Sequence, residues 1–175
     1  DSYLEIFEEK VIENGGTVHW ASSGEEACRI ILGICQQADA RLVTKGKSMV
    51  AEEIHLNEAL EKGGLEVVET DLGEYIIQLA NEMPSHIIAP AMHKTRTQIS
   101  ELFHTHHQSL GYVDKATTRE EIVSEARQVL RDVFVSADVG ITGANFLVAE
   151  TGSNVIVMNE GNGDLTSCLP GVQII

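Results

Sequence analysis

Short apolar runs alternate with helix-period stripes along almost the whole chain. That alternation restricts the fold to a layered α/β arrangement, a mostly parallel sheet with helices on both faces. The runs are Leu42-Val43, Leu65 to Val68, Ile87-Ile88-Ala89, Val139 to Thr142, Phe146 to Ala149 and Val155 to Met158, with Thr17 to Ala21 a further candidate strand. Each is too brief for a helix. Ahead of them, Tyr3, Ile6, Phe7, Val11 and Ile12 recur at helical spacing until Gly15-Gly16. Ser23-Gly24-Glu25-Glu26 opens a helix striped by Ala27, Ile31, Ile34 and Ala38, and a longer helix spans Met49 to Lys62 before Gly63-Gly64. Leu72 to Ala80 reads as a helix too. Thr95 to Gln98 caps one with Ile99, Leu102, Phe103 and His106 on a single face, and Thr117 to Glu121 caps another striped by Ile122, Ala126, Val129 and Val133. The last strands, joined by Gly-containing loops, are expected as an antiparallel edge.

With 175 residues and 43% hydrophobic content, the chain has enough apolar side chain for one core, so residues 1–175 are read as one domain. Acidic residues outnumber basic ones 27 to 12, for a net charge of −15. A nucleic-acid backbone or an anionic membrane needs a dense basic face, so both are excluded as partners. No apolar run approaches the roughly 20 residues needed to span a bilayer. Cys28, Cys35 and Cys168 form no C-x-x-C pair and read as reduced cytoplasmic thiols, the first two buried in a helix stripe. The start without Met and the apolar end at Gln173-Ile174-Ile175 suggest a fragment.

The candidate sites lie in loops that follow strands, where α/β proteins keep their chemistry. Gly46-Lys47-Ser48 mimics the end of a phosphate loop, but Arg41 stands where the first glycine belongs, which excludes a nucleoside triphosphatase. Lys45 and Lys47 beside the Ser48 cap remain a candidate anion site; they equally fit a capped helix with solvated lysines. In Glu150-Thr151-Gly152-Ser153, a carboxylate on a tight turn suits a base or nucleophile, with turn amides as oxyanion donors. The alternative is a plain strand-connecting turn. Asp71, Glu74, Tyr75 and Gln78 share a helix face that either lines a crevice or simply complements the helix dipole. His104 and His107, with His93 upstream, lack a third ligand and read as surface or core histidines rather than a metal site.

Several stretches together resemble the lactate-utilization protein B family: Lys45-x-Lys47-Ser48-Met49, Glu52-Glu53-Ile54-x-Leu56-Asn57 and the run from Glu69 to Leu79. Pro84-Ser85-His86-Ile87-Ile88-x-Pro90-x-x-His93-Lys94 and Thr166-Ser167-Cys168-Leu169-Pro170 belong to the same pattern. The resemblance implies the N-terminal lactate-utilization (LUD) domain of an iron–sulfur protein, one of three proteins that together oxidise lactate to pyruvate in bacteria. It implies 4Fe–4S clusters in a later, cysteine-rich region that this chain lacks, hence no cofactor within these residues. It also implies a fold like that of the sugar-phosphate isomerases and CoA transferases. On this reading the domain organises the complex, with the other subunits as partners, and offers a pocket for a small anionic metabolite near Lys45, Lys47, Ser48 and Glu150. The alternative is a catalytic domain for a CoA thioester or sugar phosphate, with Glu150 as nucleophile or base. A third is a pure interaction module docking through its acidic faces.

Overall fold

The computed structural model describes residues 2–86 and 89–175. Its main sheet has four parallel strands in the order β2-β1-β3-β6: β1 (Leu42–Lys45), β2 (Glu66–Glu69), β3 (Val139–Ile141) and β6 (Val172–Ile174). A separate antiparallel hairpin pairs β4 (Phe146–Val148) with β5 (Ser153–Val155). Eight α-helices among the described residues complete the order: α1 (Ser2–Glu13), α2 (Gly24–Gln37), α3 (Met49–Glu53), α4 (Leu56–Lys62), α5 (Leu72–Ala80), α6 (Arg96–His107), α7 (Arg119–Ser136) and α8 (Asn162–Cys168).

Alternation along the strands sends successive side chains to opposite faces, and each face builds its own core. Val43, Val67, Val139 and Ile141 pack with Cys28 and Cys35 of α2 and with Leu56 and Leu60 of α4. On the other face, α5, α6 and α7 close around Tyr75, Phe103, Ile122, Val129 and Phe134, with Val68 of β2 against them. The expected layered, parallel α/β arrangement is what forms.

The local differences have physical causes. Thr17 to Ala21 runs without strand pairing, and Trp20 instead donates its indole N–H to Glu8 at 2.9 Å. The predicted helix from Met49 to Lys62 breaks into α3 and α4 at His55, which adopts a left-handed φ of 54°. The closing strands make the isolated β4–β5 hairpin instead of an edge of the main sheet; β6, read in the sequence only as an apolar end, takes that edge. On α6 the buried histidine is His107 rather than His106, one position round the helix. The predicted strand Ile87-Ile88-Ala89 has its two isoleucines outside the described residues.

Capping follows the sequence closely. Thr118 accepts from the Glu121 amide, while the Glu121 carboxylate accepts from Thr117 and Thr118 and is held down to a pKa of about 2 by those backbone hydrogen bonds. Thr118→Ala is expected to lower stability by about 1 kcal/mol, read from the midpoint of urea unfolding.

Candidate functional site

The C-terminal ends of all four parallel strands meet one edge of the sheet. From β1 the chain turns outward over α3 and α4 to β2; from β3 it leaves the other way, through the hairpin and α8, to β6. Ligands of open α/β sheets bind outside the carboxyl ends of the strands at such a switch of direction.

The polar residues of this chain gather there. Lys45 ends β1 and Glu69 ends β2, paired directly in the parallel register. They lie 1% and 5% exposed, with the Lys45 ammonium 2.8 Å from Glu69 Oε1. Asn57 of α4 donates to the same oxygen at 2.6 Å, whereas Glu69 Oε2 is buried without a hydrogen-bond partner. Burial, above all, pushes the Glu69 carboxyl above its ordinary range; the charge of Lys45 opposes this and that of Glu74 adds to it. Beside this pair, Lys47 lies 3.0 Å from Glu74 Oε1, and its amide donates to Asp71 Oδ2 at 2.6 Å.

Hydroxyls and an amide complete the wall. Thr70 donates to the Lys45 carbonyl at 3.1 Å and faces Thr166 of α8 at 3.3 Å, and Asn162 donates to its oxygen at 3.3 Å. Thr142, the first residue past β3, is buried with an unsatisfied hydroxyl. Gly143 lets the β3 loop approach closely: a Cβ there would lie 3.4 Å from Ser48 Oγ. Two ammonium groups, three carboxylates and several hydroxyls thus gather at one sheet edge.

The structure redistributes the residues singled out in the sequence. Lys45 is buried rather than solvated, because its strand position points it into a core face, where Glu69 compensates its charge. Ser48 caps α3 through the Ala51 amide. Asp71 and Glu74 both meet the Lys47 loop. Tyr75 and Gln78 leave it: Tyr75 turns into the core toward His107, and Gln78 bonds the Glu69 amide and the Val67 carbonyl.

Glu150, Thr151, Gly152 and Ser153 belong to a different neighbourhood, the exposed tip of the β4–β5 hairpin, which rests on α1. Asn14 donates to the Thr151 carbonyl at 2.9 Å, and Gly152, at φ 66°, lies against the Lys10–Val11 backbone. The Thr151 and Gly152 amides already close the turn on the Val148 carbonyl, so the expected oxyanion donors are occupied. Glu69, Asn57, Thr142 and Asn162 are the site residues that sequence reasoning missed. The readable signal was Glu69-Thr70-Asp71, a polar triplet directly after the apolar run to Val68.

Two other polar clusters lie away from this edge. His107 is buried between the Tyr75 hydroxyl (2.8 Å) and Glu125 (2.7 Å), and burial foremost, then the Glu125 charge, pushes the Tyr75 pKa up to about 12. His93 bridges Ser85 and Glu82 at 2.8 and 2.9 Å. A groove of about 320 Å³ between α2 and α4 has an apolar floor that includes Cys28 and Leu32, and its rim charges Glu58 and Lys62 pair with each other. Among the described residues no three His, Cys, Asp or Glu side chains converge to hold a metal ion. Cys28 and Cys35 are buried on α2, and Cys168 is exposed on α8. No helix among the described residues is long and apolar enough to cross a membrane.

Comparison with known proteins gives consistent matches. The chain is 50% identical over 174 residues to lactate utilization protein B of Oceanobacillus iheyensis and 50% identical over 175 residues to that of Bacillus subtilis. It is 48% identical over 174 residues to the uncharacterized electron transport protein YkgF of Escherichia coli. Each match covers 99% of this chain but 36% of the relative, so the chain spans about a third of their length. No solved structure matches. The LUD domain family matches residues 4–175, nearly the whole of the chain, which therefore belongs to the LUD domain family.

Proposed function

We propose that this chain is the LUD domain of a longer cytoplasmic electron-transport protein, one subunit of a bacterial system that oxidises lactate, and that its sheet-edge crevice holds a small hydroxylated carboxylate. The observation that carries the first part is the near-50% identity, over 99% of this chain, to relatives named for lactate utilization and electron transport. The second part rests on the chemistry of the crevice. Lys47 is partly exposed and shares its charge with Glu74, so it can turn to an incoming carboxylate. The Glu74 carboxylate and the unsatisfied Thr142 hydroxyl suit the hydroxyl of the same molecule. Electron carriage by 4Fe–4S clusters belongs, on this reading, to polypeptide outside these residues.

The test uses the intact longer protein with its partner subunits. Lactate is expected to bleach the visible absorbance of the clusters, and Lys47→Ala is expected to raise the half-saturating lactate concentration about tenfold, a loss of about 1.4 kcal/mol. Absence of lactate-dependent bleaching overturns the lactate reading. Bleaching with an unchanged lactate dependence in Lys47→Ala overturns the assignment of the crevice.

A further inference from the structure

Helix α1 and the β4–β5 hairpin pack on each other and keep several large apolar side chains exposed. None of the 12 residues of α1 is buried, and Tyr3 is 76% exposed. On the hairpin, Phe146 is 63% and its cross-strand partner Val155 38% exposed on one side of the two strands, and Val157 just beyond is 70% exposed. The two elements hold each other through Asn14 and the Thr151 carbonyl, and through Gly152, where a Cβ would come within 2.6 Å of the Val11 amide nitrogen. Neither gains a core from this contact. A short helix and a lone two-stranded hairpin are each marginal in water without an apolar face covered.

We infer that this face is an internal one in the longer protein, covered by the part of the same polypeptide that lies outside residues 2–175. The inference does not depend on the lactate reading. One observation favours that occupant: the relatives devote the remaining 64% of their length (100 less the 36% matched) to other polypeptide, which is ample to cover such a face. Polypeptide joined to the same chain meets the face at an effective concentration in the millimolar range, before any contact is optimised. A second copy is the weaker occupant, because two chains of net charge −15 repel each other. Glu5, Glu9 and Glu150 are exposed on the same two elements, so the covering surface is an apolar patch bordered by Lys or Arg.

Hydroxyl-radical footprinting of the intact longer protein tests this, each residue being normalised to its own rate in the urea-unfolded protein. Tyr3 and Phe146 are expected to react at least tenfold more slowly when folded, while Val113 and Val135, exposed elsewhere, slow by less than about twofold. That protection is expected to persist on hundredfold dilution, with lysine crosslinks from Lys10 running to residues outside this stretch within one molecule. Protection of Tyr3 and Phe146 no greater than that of Val113 and Val135 overturns the proposal. Protection that disappears on dilution also overturns it, by identifying the occupant as a second copy.

Discussion

Lys45→Ala is expected to lower the free energy of unfolding by about 3–5 kcal/mol, seen as a fall in the urea midpoint at unchanged slope. The lysine and Glu69 are both almost fully buried and 2.8 Å apart, so removing the ammonium strands a carboxylate in a low-dielectric core with only Asn57 beside it. Replacing both partners by apolar residues, as Lys45→Met with Glu69→Leu, is expected to recover most of that loss, because a well-packed apolar pair carries no desolvation cost. If the double variant is as unstable as Lys45→Ala, packing rather than charge compensation is what Lys45 supplies.

The same pair sets a pH dependence. The Glu69 carboxyl lies above its ordinary value of 4.5 when folded, so its protonated form is the one the fold favours. Its contribution is fully present below that ordinary value and is lost as pH rises through the folded pKa. Without Lys45 the folded pKa moves higher still. The deficit of Lys45→Ala is therefore expected to be small in acid, below about pH 4.5, and to grow as pH rises toward neutrality; a deficit independent of pH would contradict this.

Gly140→Ala is expected to cost about 3 kcal/mol, at the upper end of the overpacking range, and to lower the thermal midpoint by about 6–12 °C. A Cβ on Gly140 of β3 would run into the backbone carbonyl oxygen of Thr166 and touch the Pro170 ring at 3.1 Å. Neither neighbour can rotate aside, so α8 must move off the sheet edge, drawing Thr166 and Asn162 from Thr70. Gly171→Ala is the control: it meets no atom within 4 Å and needs no left-handed backbone, so its expected cost is within about 0.5 kcal/mol. Calorimetric scans of the two variants beside the parent chain decide the matter.

Much of the fold was legible because it is locally encoded. Thr95-to-Gln98 and Thr118-to-Glu121 each spell a capping box in four residues, and both form. Leu42-Val43 and Leu65 to Val68 announce buried strands by composition alone. The errors lie where a neighbour distant in sequence decides. Thr17 to Ala21 has strand character but no strand pairing. Val172–Ile174 looked like a bare apolar end until β3 paired with it. His106 and His107 differ by 100° around one helix, and the positions of Tyr75 and Glu125 choose which is buried.

The candidate site divides along the same line. Loops after strands and acids in a first helical turn are local signals, and Lys47, Asp71 and Glu74, which carry them, meet in the structure. The surroundings of Lys45 and Glu150 were not legible, because a one-dimensional string gives a residue type but not the face its side chain takes. The parallel register turned Lys45 inward against Glu69, and the separate hairpin carried Glu150 to α1. By itself, then, the sequence determined the alternating α/β class, the helix caps and the acidic character of the surface, because propensity, period and charge act over a few residues. Only the tertiary structure decided strand order, the burial of the Lys45–Glu69 pair and the convergence of Thr70, Thr142 and Thr166 on one edge, because those depend on pairings across 24 to 96 residues of chain.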